Sequence, residues 1–390
     1  MTSSSFKLKS RGNTRLVQQE AFTVCIKNNV REYGGGDICL KEHLTNADDA
    51  KATHFVVCLD KTQYSSNRLL SLGMKALQGP ALIIGNDAEF RMSESNDDGR
   101  DDWINYTRKV GDSSKANDPD TAGKFGKGAL TAYSVSDVIQ VLSGKQLLVL
   151  DPHGTHLPEG LLSWSCNPVE ARHKHFLNLA AEAPDQLEPF INFSKSNAAV
   201  PLWDGRSHYA GTLFRLALRT EAAAASSQIS NETIKTDMFA KTLEEFAAAA
   251  PDLLLFLRHI RKISVYVKEP GQADAILKHQ SIARTVSTAA TSCQEQQLAV
   301  SIQHANGQMT SKLWLKIINL ARNGDGVAAL LEDEQTKGEK MPLIAGKVYT
   351  TMALPLENTG LPVHINGAFF VSSDRRNLWE GEGDDGKVCV

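Results

Sequence analysis

Three polar side chains pose the question in this sequence. In the stretch Lys41-Glu-His-Leu-Thr-Asn-Ala-Asp-Asp-Ala50, Glu42, Asn46 and Asp49 recur at helical spacing. At about 100° per residue they fall within roughly 60° of one another, while Leu40, Leu44 and Ala47 gather on the opposite side. A carboxylate and a carboxamide one turn apart can meet one small ligand together. That geometry suits a metal-bound phosphate and a water. The same spacing also describes the solvated face of an ordinary amphipathic helix, so the company these residues keep has to separate the two.

A second candidate is Gly123-Lys-Phe-Gly-Lys-Gly128, followed by Ala129, Leu130, Ala132 and Tyr133. Glycines at the start of a helix let backbone N–H groups come close to phosphate oxygens. The loop is not a Walker motif, because Gly126-Lys127 is followed by Gly128 and not by Ser or Thr. Nor is it a dinucleotide fingerprint, and a plain turn with a close helix contact competes with the phosphate cradle. The polar stretch Ser93 to Ala122 before it can bury little surface and is expected to be mobile. His153 and His156, in Asp-Pro-His-Gly-Thr-His, lack a third and fourth ligand at metal spacing and read as a polar turn.

These groups need elements to hold them. After a tail to residue 13 that reads as disordered, Leu16, Val17, Phe22, Ile26, Val30 and Tyr33 follow helical spacing, and Gly34-Gly35-Gly36 ends the helix. Asp37 is the expected N-cap of the helix carrying Glu42. Buried strands are expected at His54 to Asp60 and Ala81 to Asp87, and a hairpin joins Val138–Gly144 to Leu147–Leu150. A further strand spans Gly211 to Arg219, its apolar residues set against arginines and small residues. Beyond residue 220, Phe239, Leu243, Phe246 and Ala247 keep helical spacing, and Pro251 is placed to open a new helix from Leu253 to Ile260. Strands are expected at 263–267, 298–302, 314–318, 349–354 and 368–371. The division is a first domain over 14–220, with 93–122 as a lid, and a second α+β domain over 221–390.

Composition narrows the class. A chain of 390 residues with 42% hydrophobic content can bury a sizeable core. A net charge of −3 gives no overall reason to seek nucleic acid. The six cysteines contain no Cys-x-x-Cys pair, which argues against a zinc site or disulfide framework and for a reducing compartment. No apolar run approaches the roughly 20 residues of a membrane span, and the polar N-terminus lacks a signal peptide's apolar stretch. A soluble intracellular protein of the cytoplasm, without membrane or nucleic-acid partners, is the expectation.

Taken in order, Glu42-x-x-x-Asn46-Ala-Asp-Asp-Ala50, Asn86-Asp87-Ala88, Gly123-x-Phe125-Gly126-x-Gly128 and Gly211-Thr212 resemble the GHKL ATPases of gyrase, heat-shock chaperone, histidine-kinase and MutL type. Within that superfamily the chain is most similar to the sacsin-type repeat, related to the ninety-kilodalton heat-shock chaperones. The segments that carry this are 77–82, 110–115, Val135-Ser-Asp137, Leu142-Ser-Gly144, Asp151-Pro-His153, 250–257, Lys262-Ile-Ser264, 360–367 and 375–379. The resemblance implies an α+β fold: a Bergerat-type α/β sandwich, helices on one face of a mixed, largely antiparallel sheet, followed by a smaller α+β domain. It implies Mg2+ and ATP as cofactors. Glu42 would orient the attacking water and Asn46 bind magnesium, with Asp49 on the same polar face. Asp87 would meet adenine with support from Thr212, and Gly123, Phe125, Gly126, Lys127 and Gly128 would wrap the phosphates. Arg375 and Arg376 are candidates for the γ-phosphate by position. The implied function is an ATP-binding module with slow hydrolysis to ADP, coupling lid closure to chaperone-like activity. A non-hydrolysing nucleotide-responsive scaffold is the alternative, because Asp87-Ala-Glu-Phe90 lacks the two glycines common in the wider superfamily.

Overall fold

The computed structural model describes residues 22–90, 128–157, 161–165, 179–290, 294–318, 325–334, 344–350, 352–367, 369 and 378. Helix α1 (Phe22–Tyr33) leads through the glycines into α2 (Gly36–Asp49). Strands β1 (His54–Asp60) and β2 (Ala81–Asn86) follow. A 3-10 turn over Gly128–Ser134 precedes the hairpin β3 (Ile139–Gly144) and β4 (Gln146–Leu150), and β5 spans Leu161–Ser165. Helix α3 (Glu188–Ser196), strand β6 (Tyr209–Ala217) and helices α4 (Glu221–Ser226) and α5 (Thr236–Leu253) come next. The remaining strands are β7 (Lys262–Lys268), β8 (Ile276–Ala290), β9 (Gln294–His304), β10 (Met309–Ile318), β11 (Gly326–Asp333), β12 (Lys347–Thr350), β13 (Met352–Asn358) and β14 (His364–Asn366).

All these strands join one sheet, in the order β13-β12-β14-β11-β10-β9-β8-β7-β1-β2-β6-β3-β4-β5. Pairing is antiparallel except for β1 with β7 and β12 with β14. The molecule is thus a mixed α+β fold on a large, mostly antiparallel sheet. The position between residues 220 and 221, where a second domain was expected to begin, falls between β6 and α4. The sheet runs across it, because β7 lies beside β1 with His54 opposite Lys262.

Two apolar layers sandwich the first half of this sheet. On one face Phe55, Val57, Leu59, Ile84, Val141 and Phe214 pack with Leu40 and Leu44 of α2 and Phe239 and Phe246 of α5, in a core that continues to Trp314 and Leu330. On the other, Val56, Cys58, Ile83, Leu142 and Leu213 meet Phe190 and Phe193 of α3, together with Trp203. Double coverage explains why β1 and β2 read as continuous apolar runs and not as alternating ones.

Several expectations are corrected. Helix α2 starts at Gly36, with Gly35 at the N-cap and no side-chain cap, while Asp37 sits in the first turn 3.4 Å from Lys41 Nζ. Glycine at φ +154° turns the chain without a capping side chain. Pro251 lies inside the last turn of α5, which ends at Leu253, and the expected helix from Leu253 to Ile260 does not form: 254–260 are not helical and their backbone is held differently, as shown below. The expected strand 349–354 is two antiparallel strands, β12 and β13, with Tyr349 opposite Ala353. Of 368–371 only Phe369 is described, and it is not in a strand. Arg215 of β6 and Arg219 just beyond it are buried, at 1% and 2% exposure.

Candidate functional site

Helix α2 lies with Leu40, Leu44 and Ala47 in the core, as the spacing predicts. Its other side is not bare. Glu42 is only 5% exposed, and Asn46 and Asp49 are half-buried. The cover over Glu42 is the turn that follows the glycine loop: a methyl group added at Gly128 would overlap Glu42 Oε2. Gly128 therefore brings its backbone against the carboxylate where no side chain fits.

That turn is fastened at several points. Thr131 Oγ1 donates to Gly128 O at 2.5 Å, and Ser134 Oγ donates to Thr131 O at 2.6 Å and lies 3.2 Å from Gly35 O at the start of α2. From behind, the buried Arg219 donates through Nε to Asp137 Oδ1 at 2.7 Å, and through its two terminal nitrogens to Ser134 O and Tyr133 O. A guanidinium that fills three acceptors in a dry setting is a rigid clamp. Asp137 and Arg219 were missed as site supports. No local pattern links them in the sequence, where 82 residues separate the pair.

Asp87 and Thr212 come together at one end of β2 and β6, where Asn86 pairs with Thr212. They are joined through backbone rather than side chains. Thr212 Oγ1 donates to Ala88 O at 2.7 Å and lies 2.7 Å from Ser143 Oγ. Because Thr212 Oγ1 gives its one proton to Ala88 O, the Ser143 hydroxyl is the donor to Thr212, while Ser143 Oγ accepts from Phe90 N at 2.9 Å. Asp87 is exposed, and its carboxylate takes the N–H and hydroxyl of Thr53 and, at 3.1 Å, the N–H of His54. Burial works to raise its pKa, yet these donors outweigh burial and hold the carboxyl below its ordinary value. His54, by contrast, is pushed down to about 4, first by burial and then by Lys262, against the pull of Asp87.

Gly123, Phe125, Gly126, Lys127, Arg375 and Arg376 lie outside the described residues. His153 and His156 form the expected polar turn: Asp151, 1% exposed, accepts the N–H groups of His153, His156 and Leu157. Among the described residues no group of three or more His, Cys, Asp or Glu side chains could hold a metal ion. Among the same residues no helix is long and apolar enough to cross a membrane.

A sheet with α2 laid on it, a glycine turn pressed to its glutamate and an Asn-Asp end beside β2 defines a class, and the sequence comparison gives that class a name. Residues 19–280 match the Sacsin domain, and the chain belongs to that family. Among individual proteins it is similar to human sacsin (Homo sapiens), 29% identical over 401 residues, an alignment covering 90% of this chain and 8% of sacsin. The chain thus spans a small part of the length of that relative.

Proposed function

We propose that this Sacsin-domain protein binds ATP with magnesium over the Glu42-Asn46-Asp49 face of α2 and hydrolyses it slowly, passing the nucleotide state to a chaperone-like activity. The observation that carries the reading is the seat of Gly128 on Glu42. It puts the end of a glycine loop, a phosphate-binding element in chemical type, against a carboxylate able to orient a water. The donor set agrees, since the Asn46 carboxamide and Asp49 carboxylate are hard oxygen donors suited to magnesium. Bound magnesium would screen phosphate charge. The chain's own part is positional: Glu42 accepts a proton from a held water, Asn46 and Asp49 orient the phosphate group, and Gly128 keeps bulk water from the carboxylate.

A second reading is a nucleotide-responsive scaffold without turnover. It is supported by Asp87, whose carboxylate is already engaged by Thr53 and His54. One pair of measurements separates the two. Calorimetric titration with Mg-ATP and Mg-ADP should show saturable binding, and phosphate release should fall to background in Glu42→Ala while binding stays. Equal release by the two proteins moves the conclusion to the scaffold, and no heat at millimolar nucleotide removes the site.

A further inference from the structure

Two separate parts of the site hold the same short segment. Asp48, 3% exposed, turns away from Asn46 and Asp49 and accepts three successive backbone N–H groups. Oδ2 takes Arg258 N at 3.0 Å, and Oδ1 takes His259 N at 2.7 Å and Ile260 N at 2.8 Å. The next two N–H groups, of Arg261 and Lys262, reach Thr53 O at 2.8 and 3.2 Å. Thr53 is the residue whose N–H and hydroxyl are tied to Asp87. Every backbone donor from Arg258 to Lys262 is thus taken by the neighbour of a site residue or by the partner of one.

This arrangement explains why no helix follows Pro251: the donors of 258–260 go to Asp48 and not to carbonyls four residues back. It also gives the segment an outlet. Lys262 opens β7 beside His54, His54 Nε2 lies 2.9 Å from Ser264 Oγ, and Ala283 N of β8 donates to Arg261 O at 2.8 Å. A buried carboxylate filled by three N–H groups is stiff, because moving its donors away would leave a buried charge short of partners. The last turn of α2 therefore cannot shift without moving 258–260.

We infer that Arg258–Lys262 is a coupling strap: a ligand drawn to Asn46, Asp49 or Asp87 changes the order of this segment, and through it of β7 and β8, with Asp48 as the positioning residue. The inference takes its ligand from the nucleotide reading, while the anchors stand on geometry alone. Coupling of this kind requires an element that both ends bias, and the strap is shared by α2, β1 and β7.

Amide hydrogen exchange on the full chain, with and without Mg-ATP or Mg-ADP, tests it alongside calorimetry. In the wild type, nucleotide should slow exchange at 258–262 and in β7 by about tenfold or more. In Asp48→Asn, which keeps the shape but weakens the acceptor, calorimetric affinity should stay within about threefold while the protection at 258–262 falls below about twofold. Protection on α2 without protection at 258–262 in the wild type overturns the strap and leaves the nucleotide site standing. Full protection in Asp48→Asn overturns the role of Asp48. No calorimetric binding by the wild type removes the nucleotide reading and the coupling together. If Asp48→Asn does not fold, the wild-type comparison decides.

Discussion

The two halves of the sheet are built on the same backbone pattern but live in different surroundings. From β1 to β4 the strands are covered on both faces, and every described position of β3 and β4 is buried. From β9 to β11 only one face is closed: Val300, Trp314, Ala328 and Leu330 are buried, whereas Leu313, Leu315, Ile317, Val327 and Ala329 are half-exposed. In the first half burial makes an unpartnered polar group costly, and Arg219, Thr212, Ser143 and Asp48 each sit in defined hydrogen bonds. In the second half water can serve the outer face, and side chains there carry less energetic weight. A site that depends on fixed geometry belongs where both faces are closed.

The comparison breaks most sharply at Arg219. Arg219→Met leaves the buried Asp137 carboxylate without its counter-charge, with Ser227 Oγ still donating to it at 3.0 Å, and frees two carbonyls of the glycine turn, an expected loss of about 3–5 kcal/mol in urea unfolding. A loss near zero would mean that the doubly covered half tolerates charge as well as the open half does. Next in size is a matched pair of truncations. Phe214→Ala removes a ring that meets His43 edge-on at 4.8 Å and Phe90 at 5.9 Å, and should cost about 3–5 kcal/mol. Leu315→Ala, on the open face, should cost about 1 kcal/mol or less. Similar values for the two would erase the distinction.

Acid sensitivity sharpens the same point. Burial lowers His43 from 6.5 to about 4, opposed by its hydrogen bond to Cys39 O. The unfolded chain then takes up the proton first, so the stability tied to neutral His43 is complete above about 6.5 and is lost as pH falls toward 4. His43→Leu should flatten the fall in unfolding free energy across that window by on the order of 2 kcal/mol. His54 and His279, both lowered to about 4 mainly by burial, will keep a residual slope of the same sign. At the glycine turn, Gly128→Ala should cost about 1–2 kcal/mol from overlap with Glu42. It should also weaken Mg-ATP binding in calorimetry more than it lowers the melting temperature; unchanged binding would mean that the contact is packing alone.

Local pattern was enough for the parts of the fold whose environment is uniform. β1, β2 and the β3–β4 hairpin stand where the apolar runs and Gly144, at φ +54°, place them. The core side of α2 follows from spacing alone. The strands β8 and β11 went unread because their open face carries Lys278, Gln280, Arg284 and Glu332 among the apolar positions, which blurs the alternation. Nothing in the sequence marks Arg215 and Arg219 as buried, because charge in a strand ordinarily belongs to the wet face; here the carbonyls of Leu77 and Gly79 hold the first, and Asp137 with the carbonyls of Tyr133 and Ser134 holds the second.

The pair Asp48-Asp49 marks the limit of sequence reading most clearly. By itself the sequence determined that α2 is a helix, which of its sides enters the core, and that Glu42, Asn46 and Asp49 share the other; these follow from the helical repeat, a property of neighbours along the chain. The same repeat turns the adjacent Asp48 about 100° off this face; that it there grips Arg258, His259 and Ile260, more than 200 residues away, only the tertiary structure decided. Which backbone donors the fold brings within reach of each aspartate depends on how α5 ends and β7 begins beside β1.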